Sequence, residues 1–592
     1  MQGYKSPLRD LQFVLHELLQ TSETMQACGY EDIDRETVDQ VLAAAGDFAA
    51  EVIAPLNAAG DKPGCRMTAP GVVETPTGFR EAYVQFKQNG WNGLTCSSEY
   101  GGQGFPMVIG AAVNEIFGGA NMAWASYPEM SHASYVNIEA NGSADIKASY
   151  LPKLASGEWA GTMCLTEPNA GTDLGLLRTR AVPQLDGSYR ITGTKIFISG
   201  GEHDLTENIV HLVLARLPDA PLGVKGISLF VVPKFIPEHS GAIGSRNALT
   251  CGSIEEKMGI HGNSTCTMNF DGATGWLLGE PNKGLAGMFV QMNYLRILVG
   301  VTAIGVMEAA YQKSLAYANE RVQGRVPGSS FGGSADLIVR HADVRRMLLT
   351  QKANVEGLRA LALWAAQLND LQQHPDATRR HEAAELLALL TPIVKAMSSD
   401  IALESTLTAM QVFGGHGYIR DNGVEQHVRD VRIISLYEGT NGVQSMDLLA
   451  RKVLADGGLR MAGLLKQVSG FVEQHRAGRE MHEFIEPLSD LVERVSQVTA
   501  SLVETSAGDP HAAGAVATAY LRLAGHLVLA WTWARAVALS LPHLSSGDGF
   551  YASKVATARF YYLRLMPQCL SLCVEIRAGT SVVMDPALEL LI

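Results

Sequence analysis

Near the start of the chain Phe13, Leu15, Leu18 and Leu19 open a series of apolar positions, and Val38, Val41, Leu42, Phe48 and Val52 repeat them at spacings of three and four. A helix buried along one face requires that period, so residues 8 to 154 are expected to be helical. Pro55 is expected to end the second helix, and the turn Glu99-Tyr-Gly-Gly-Gln-Gly-Phe-Pro106 to precede the run 108–116. Near Gly161 the period changes. Segments rich in β-branched and aromatic residues follow at 161–166, 177–184, 189–199, 209–215, 227–232 and 265–270, and Asp186-Gly187 between two of them marks a tight hairpin. No helices alternate with these strands, so a barrel or sandwich is expected rather than a parallel sheet. From Gly284 helical spacing returns over 295–321, 342–371 and 381–413, with linkers at 325–334 and 372–378 and a glycine-rich turn at 414–418. Four further helical stretches, 459–476, 479–506, 511–541 and 547–578, follow Asp456-Gly457-Gly458. The fold class expected is mainly α with a central β domain: an N-terminal helical domain (1–160), a β domain (161–282), a helical bundle (283–455) and an extra C-terminal helical bundle (456–592).

Composition narrows the function. With 47% hydrophobic and 18% charged residues the chain of 592 residues can bury large cores, and a net charge of -13 argues against a nucleic-acid partner. The longest apolar run, 527–541, is cut by Arg535 and falls short of the ~20 residues of a membrane span. No signal-peptide pattern opens the sequence, so a cytoplasmic protein without a membrane span is expected. The eight cysteines lack CxxC spacing and no HExxH occurs, so no metal is expected.

One stretch carries candidate chemistry: Ser435-Leu-Tyr-Glu-Gly-Thr-Asn-Gly-Val-Gln444 sets a lone carboxylate, Glu438, beside a glycine just before an amphipathic run. By itself it reads as a loop whose Thr440 or Asn441 caps a helix. Other segments change that reading. They are Met163-Cys-Leu-Thr-Glu-Pro-Asn-Ala-Gly-Thr-Asp173, Lys195-Ile-Phe-Ile-Ser199, Glu320-Arg321, Gln411-Val-Phe-Gly-Gly-His-Gly-Tyr418, and Arg429-Asp430 followed by Tyr437-Glu-Gly-Thr440. In that order, across a helical, β, helical layout, they resemble the acyl-CoA dehydrogenase family over residues 35–455.

The resemblance implies FAD as cofactor and α,β-dehydrogenation of an acyl-CoA thioester to the trans-2-enoyl-CoA, with Glu438 as the base that takes the α-proton. It places Met163, Leu165, Thr166, Thr172, Phe197 and Ser199 at the flavin. Thr166 and Ser199 would offer hydroxyls to the ring edge and Phe197 a stacking face, although many relatives carry Trp at that position. Arg321, Gln411, Gly414 and Gly415 correspond to the contacts made to the FAD of a neighbouring subunit, and Thr440 to a contact with its adenine part; Gly442 lacks the amide side chain many relatives have there. Thr172, Asn293, Arg296 and Gly439 correspond to substrate-binding positions. Some relatives carry the base directly before an Arg of the first helix after the β domain; here Met292-Asn-Tyr-Leu-Arg296 has Leu295 at that spot, which accepts no proton and favours Glu438.

The tail 456–592 and the start Tyr4-Lys-Ser-Pro-Leu-Arg-Asp10 resemble a larger bacterial branch of the family. That branch includes 3-(methylthio)propanoyl-CoA dehydrogenases and enzymes acting on medium or long straight chains; a homodimer with electron-transfer flavoprotein as acceptor is implied. Two rivals are an acyl-CoA oxidase, which would form hydrogen peroxide at each turnover, and a non-catalytic helical scaffold, which would take up no FAD.

Overall fold

Strand Tyr189–Ser199 shows how the sequence builds the central domain. Its inward positions step by two until Lys195, then slip by one to Ile198. In the computed structural model, which describes residues 3–238, 241–328 and 335–587, the register slips at the same place: Cys266 faces Ile198 and Met268 faces Lys195, leaving one extra residue on Tyr189–Ser199. That is a β-bulge, and Phe197 sits in it with φ +60°.

The chain divides into two compact units, residues 47–298 and residues 1–46 with 299–592. The first contains a short hairpin, β1 (Arg66–Ala69) with β2 (Val72–Glu74), and the helices Phe79–Gln88, Met107–Ala120, Met122–Asn141 and Ala144–Ala155. The sheet follows: β3 (Trp159–Cys164), β4 (Arg180–Pro183), β5 (Tyr189–Ser199), β6 (Asn208–Arg216), β7 (Ile227–Pro233), a small pair β8 (Phe235–Pro237) and β9 (Ile243–Arg246), β10 (Leu249–Ile254) and β11 (Thr265–Leu277). β11 pairs β5, β5 pairs β4, β4 pairs β6, β6 pairs β7, and β7 pairs β11 again, so these strands close a barrel, with β10 and β3 attached at its flanks. Strand period explains the two cores: Val210, Leu212 and Leu214 of β6 meet the helical residues Tyr135, Ile138 and Leu151, while Val213 and Ala215, on the other face, fill the barrel with Phe230, Met268 and Phe270.

The second unit is helical. Ala342–Asp370, Ala377–Val412 and Ala512–Ser540 pack on one another, and Leu459–His475, His482–Ser506, Gly549–Phe560 and Gln568–Ala578 complete it. Helix Ala512–Ser540 is buried nearly all round, from Val516 to Val537. It serves the middle of the unit, so the tail shares its core with the preceding bundle.

Three expectations are corrected. Residues 1–46 pack with the C-terminal unit instead of completing an N-terminal domain 1–160: Asp10 forms ion pairs with Arg359 and Lys554, Arg359 also binds Glu308 at 2.8 Å, and Lys554 binds Glu356 at 2.8 Å. Pro55 does not stop its helix, because the turn before it is a π-turn, Ala49–Ile53, with Ala54 N–H donating to Ala49 O at 2.8 Å, and Pro55 opens the next turn where no N–H is needed. The absence of a stretch long enough for a span also fails: Arg35–Asp61, Gly284–Glu320, Ala377–Val412 and Ala512–Ser546 are long and apolar enough by length and composition. In the last three, 72–83% of the apolar window is buried inside the protein. Of the expected linkers, residues 329–334 lie outside the described residues.

The ionic cluster has a pH signature. Burial pushes the Asp10 carboxyl up, but the charges of Lys554 and Arg359 outweigh it and hold its pKa at about 2, below the ordinary 3.8. A depressed carboxylate stabilises the fold fully above its unfolded pKa and loses that contribution as pH falls towards the folded value. Thermal unfolding should therefore show wild type ahead of Asp10→Asn at neutrality, by about 2 kcal/mol from the pKa difference alone, with the gap closing as pH falls through about 4 towards 2.

Candidate active site

In the barrel unit, Met163 and Leu165 lie on and just after β3, and the half-buried Thr166 is tied to the bulged strand by Ile196 N–H donating to Thr166 O at 2.9 Å. Phe197, next along, exposes 60% of its surface. A large aromatic side chain held in the left-handed region costs roughly 1–2 kcal/mol, and strained residues of this kind cluster at ligand sites. Ser199 ends the strand, half-buried; among the described residues neither its hydroxyl nor that of Thr166 has a hydrogen-bond partner. A proud aromatic face flanked by two uncommitted hydroxyls fits a flat heterocycle with a polar edge, as FAD has. Thr172 is exposed on the loop beyond Thr166.

Beneath this surface lies an ion pair that the sequence motifs contain but whose role they do not reveal. Lys195 is fully buried and donates to Leu165 O at 2.9 Å and to Glu167 Oε1 at 2.8 Å. Glu167 also accepts from Thr179 Oγ1 at 2.6 Å and from the N–H groups of Thr179 and Arg178. Burial pushes the Glu167 carboxyl up, yet Lys195 and these donors prevail and hold it below the usual range. The residues on both sides of Thr166 are thereby fastened to the strand that carries Phe197. A lone lysine at an inward position of an alternating strand is the sequence signal.

In the helical unit, Glu438 is half-buried with φ +55°, and Gly439 follows at φ +82°. Two left-handed residues in a row turn the chain sharply after Tyr437, and groups on helix Ala377–Val412 hold the turn: Lys395, fully buried on that helix, donates to Gly439 O at 2.8 Å and to Asn441 Oδ1 at 2.9 Å. Asn441 donates to Ser399 Oγ at 2.9 Å and Asp400 Oδ1 at 2.6 Å, and Gln444 reaches Glu438 O at 3.2 Å. Thr440 is the N-cap of Asn441–Met446, its hydroxyl accepting from Val443 N–H at 3.3 Å, so the capping role and the placement of Glu438 coexist. Lys395 was not among the expected site residues; a single lysine inside Thr391-Pro-Ile-Val-Lys-Ala-Met397 is its only mark in the sequence.

A second cluster forms at one end of this unit. Tyr317, one turn before Arg321, stacks on Phe413 at 4.2 Å and contacts His416 Nδ1 at 3.2 Å, which brings the end of Gly284–Glu320 to the turn holding Gly414 and Gly415, with Gln411 just before it. Arg321 and Gln411 are exposed, and Arg321 is in no ion pair among the described residues. Gly414 needs its φ of +59°, whereas a Cβ on Gly415 would meet nothing within 4 Å. The chain itself makes no demand for glycine at 415. An exposed guanidinium beside an open glycine turn suits a diphosphate. Asn293 and Arg296 belong to the other unit, on Gly284–Glu320; Arg296 is 4% exposed and donates to Asn293 Oδ1 at 3.3 Å.

Comparison with known proteins yields a continuous series of matches. Residues 35–158, 162–273 and 282–454 match the N-terminal, middle and C-terminal domains of acyl-CoA dehydrogenase, and 464–586 match a segment described as acetyl-CoA dehydrogenase C-terminal like. The chain is 40% identical over 571 residues to 3-methylmercaptopropionyl-CoA dehydrogenase of Ruegeria pomeroyi, covering 96% of each. It is 33% identical over 589 residues to a broad-specificity linear acyl-CoA dehydrogenase of Mycobacterium tuberculosis, again 96% of each. Its fold is shared with an acyl-CoA dehydrogenase of Bacillus anthracis solved with FAD (TM-score 0.71, 19% identity, 93% of this chain and 88% of that one).

Proposed function

Since the chain belongs to the acyl-CoA dehydrogenase family, FAD-dependent oxidoreductases acting on acyl-CoA, we propose that Glu438 is its catalytic base, with 3-(methylthio)propanoyl-CoA or a medium to long acyl-CoA as substrate. The observation that carries this is the Glu438 turn: a carboxylate on a strained backbone, with Lys395 and Gln444 binding the main-chain carbonyls of Gly439 and Glu438 and Lys395 also binding Asn441.

FAD, when bound, supplies N5 as acceptor for the β-hydride and a ribityl hydroxyl as one donor to the thioester oxygen. The chain supplies the rest. Glu438 takes the α-proton while its own backbone N–H donates to the same oxygen, steadying the charge that develops there. Thr166, Ser199 and Phe197 seat the ring, and Arg321, Gln411 and Gly415 meet the diphosphate end of a cofactor held by a second copy. The exposed Tyr418 (81%) and Ile419 beside that cluster support a homodimer. Eight cysteines without a disulfide support a reducing, cytoplasmic setting. Electron-transfer flavoprotein is the acceptor in this reading, which rests on the family. Anaerobic mixing of the FAD-loaded protein with a series of acyl-CoAs should bleach the flavin, and aerobic turnover should form little hydrogen peroxide; stoichiometric peroxide would make it an oxidase, and no bleaching with any acyl-CoA would refute the reading.

A further inference from the structure

The central helix of the tail, Ala512–Ser540, packs on the short helix Asn441–Met446 that follows Glu438 and on Ala377–Val412, which holds the Glu438 turn. Two contacts fix where it crosses Ala377–Val412. At the surface Arg522 donates to Glu404 Oε1 at 2.6 Å. Three residues further on, Gly525 meets Met397 and Ile393, both buried. A Cβ at 525 would stand 2.0 Å from Met397 Sδ and 3.3 Å from Ile393 Cγ2. Non-bonded carbons rest at about 3.5–4.0 Å, so a larger residue at 525 must displace Met397 or part the helices. An exposed ion pair contributes little to such a seat; the close approach at the glycine defines it.

The same turn of Ala377–Val412 carries the groups that hold the base. Residues two apart on an α-helix point about 200° apart, so Lys395 and Ser399 lie opposite Ile393 and Met397. Asn441, three residues after Glu438, is spread across that opposite side. Its Nδ2 donates to Ala396 O at 3.2 Å, Ser399 Oγ at 2.9 Å and Asp400 Oδ1 at 2.6 Å, and its Oδ1 accepts from Lys395 at 2.9 Å. Lys395 also reaches Gly439 O. One side of the turn therefore seats the tail while the other grips the segment after Glu438. A close-packed interior transmits a displacement across such a turn.

We propose that the tail positions the base: helix Ala512–Ser540, seated through Gly525 on the turn 393–400, sets where Lys395 and Asp400 hold Asn441 and Gly439, and hence where the Glu438 carboxylate stands. Gly525 and Asp400 are then positioning residues for proton removal, and residues 456–592 are part of the catalytic scaffold. The inference rests on Glu438 being the base.

In the FAD-loaded protein, Gly525→Ala should slow anaerobic flavin reduction by an acyl-CoA about tenfold with the acyl-CoA Kd changed less than about twofold, since misplacing a reacting group by about 1 Å can cost a hundredfold. Asp400→Leu, which takes from Asn441 its shortest partner, should do the same. Asp400→Asn keeps an oxygen that accepts from Asn441 and should return to near the wild-type rate. Hydrogen exchange over 436–446 should quicken in the two slow variants and in neither other. Leu488→Ala supplies the comparison: it opens a cavity in His482–Ser506, which packs on Ala512–Ser540 and Leu459–His475, and should lower the unfolding temperature while flavin reduction keeps its wild-type rate. Wild-type reduction in both Gly525→Ala and Asp400→Leu, or Leu488→Ala slowing reduction as much as they do, would overturn the proposal; if Gly525→Ala does not fold, the two Asp400 variants decide. Should Glu438→Gln itself bleach at the wild-type rate, the base reading falls, and exchange over 436–446 then judges the tail alone: quickened exchange in Gly525→Ala upholds its hold on the turn, and unchanged exchange refutes it.

Discussion

Replacing Glu438 by Gln is expected to leave FAD bound and to slow flavin reduction by an acyl-CoA between about a hundredfold and ten-thousandfold, the span a positioned general base contributes. At 1.36 kcal/mol per decade this is about 3–5 kcal/mol of barrier. The substitution is clean for a structural reason. The turn at 438 and 439 is fixed by Gln444 on Glu438 O and by Lys395 on Gly439 O, neither of which uses the carboxylate, and glutamine tolerates the φ of +55° as well as glutamate does. What disappears is the proton acceptor. Stopped-flow mixing under anaerobic conditions reads the rate directly, and retained FAD absorbance with unchanged acyl-CoA affinity separates lost chemistry from lost binding. A variant that bleached at the wild-type rate would remove Glu438 as the base.

The second large effect is expected at Lys195. Lys195→Met would strand Glu167, 4% exposed, without its cation, and breaking one side of a buried pair typically costs about 3–5 kcal/mol. The segment around Thr166 would lose its tie to the bulged strand, so FAD affinity should fall along with thermal stability. The double variant Lys195→Met with Glu167→Leu removes the stranded charge and should recover most of the stability. It should not recover FAD affinity to the same degree, because the anchoring of Leu165 O and of the N–H groups of Arg178 and Thr179 is gone. Thermal unfolding and fluorescence titration of apoprotein with FAD measure the two separately. If stability and FAD affinity return together, the pair is structural only.

Much of this was legible along the chain, and what was not has identifiable physical causes. Tyr189–Ser199 announces itself by alternation, and the slip at Phe197 is visible once the inward residues are marked. Leu249–Ile254 was missed because Gly252 and few buried positions blur its period, and Thr265–Leu277 runs past its expected end at 270 because a register shift accommodates Gly272. Pro55 misled because the π-turn ahead of it had already displaced the hydrogen-bond frame. The placement of residues 1–46 depends on Asp10 meeting Lys554, 544 positions away, which no local pattern encodes. At the candidate site, the motifs supplied Glu438, Thr166 and Phe197, while of the lysines that hold those segments Lys395 is a single polar residue in an apolar helical run and Lys195 follows Thr192-Gly-Thr194 on an alternating strand. Such residues become meaningful only when their carbonyl partners are seen.

The most direct test of the central claim uses a substrate of this protein labelled with deuterium at carbon 2 or at carbon 3 of the acyl chain. If Glu438 takes the α-proton as the β-hydrogen leaves as hydride, either label should slow the anaerobic bleaching of bound FAD, and the product should be the trans-2-enoyl-CoA with one label lost from each labelled carbon. Bleaching indifferent to the carbon-2 label, together with a product that keeps both of its carbon-2 deuteriums, would contradict it.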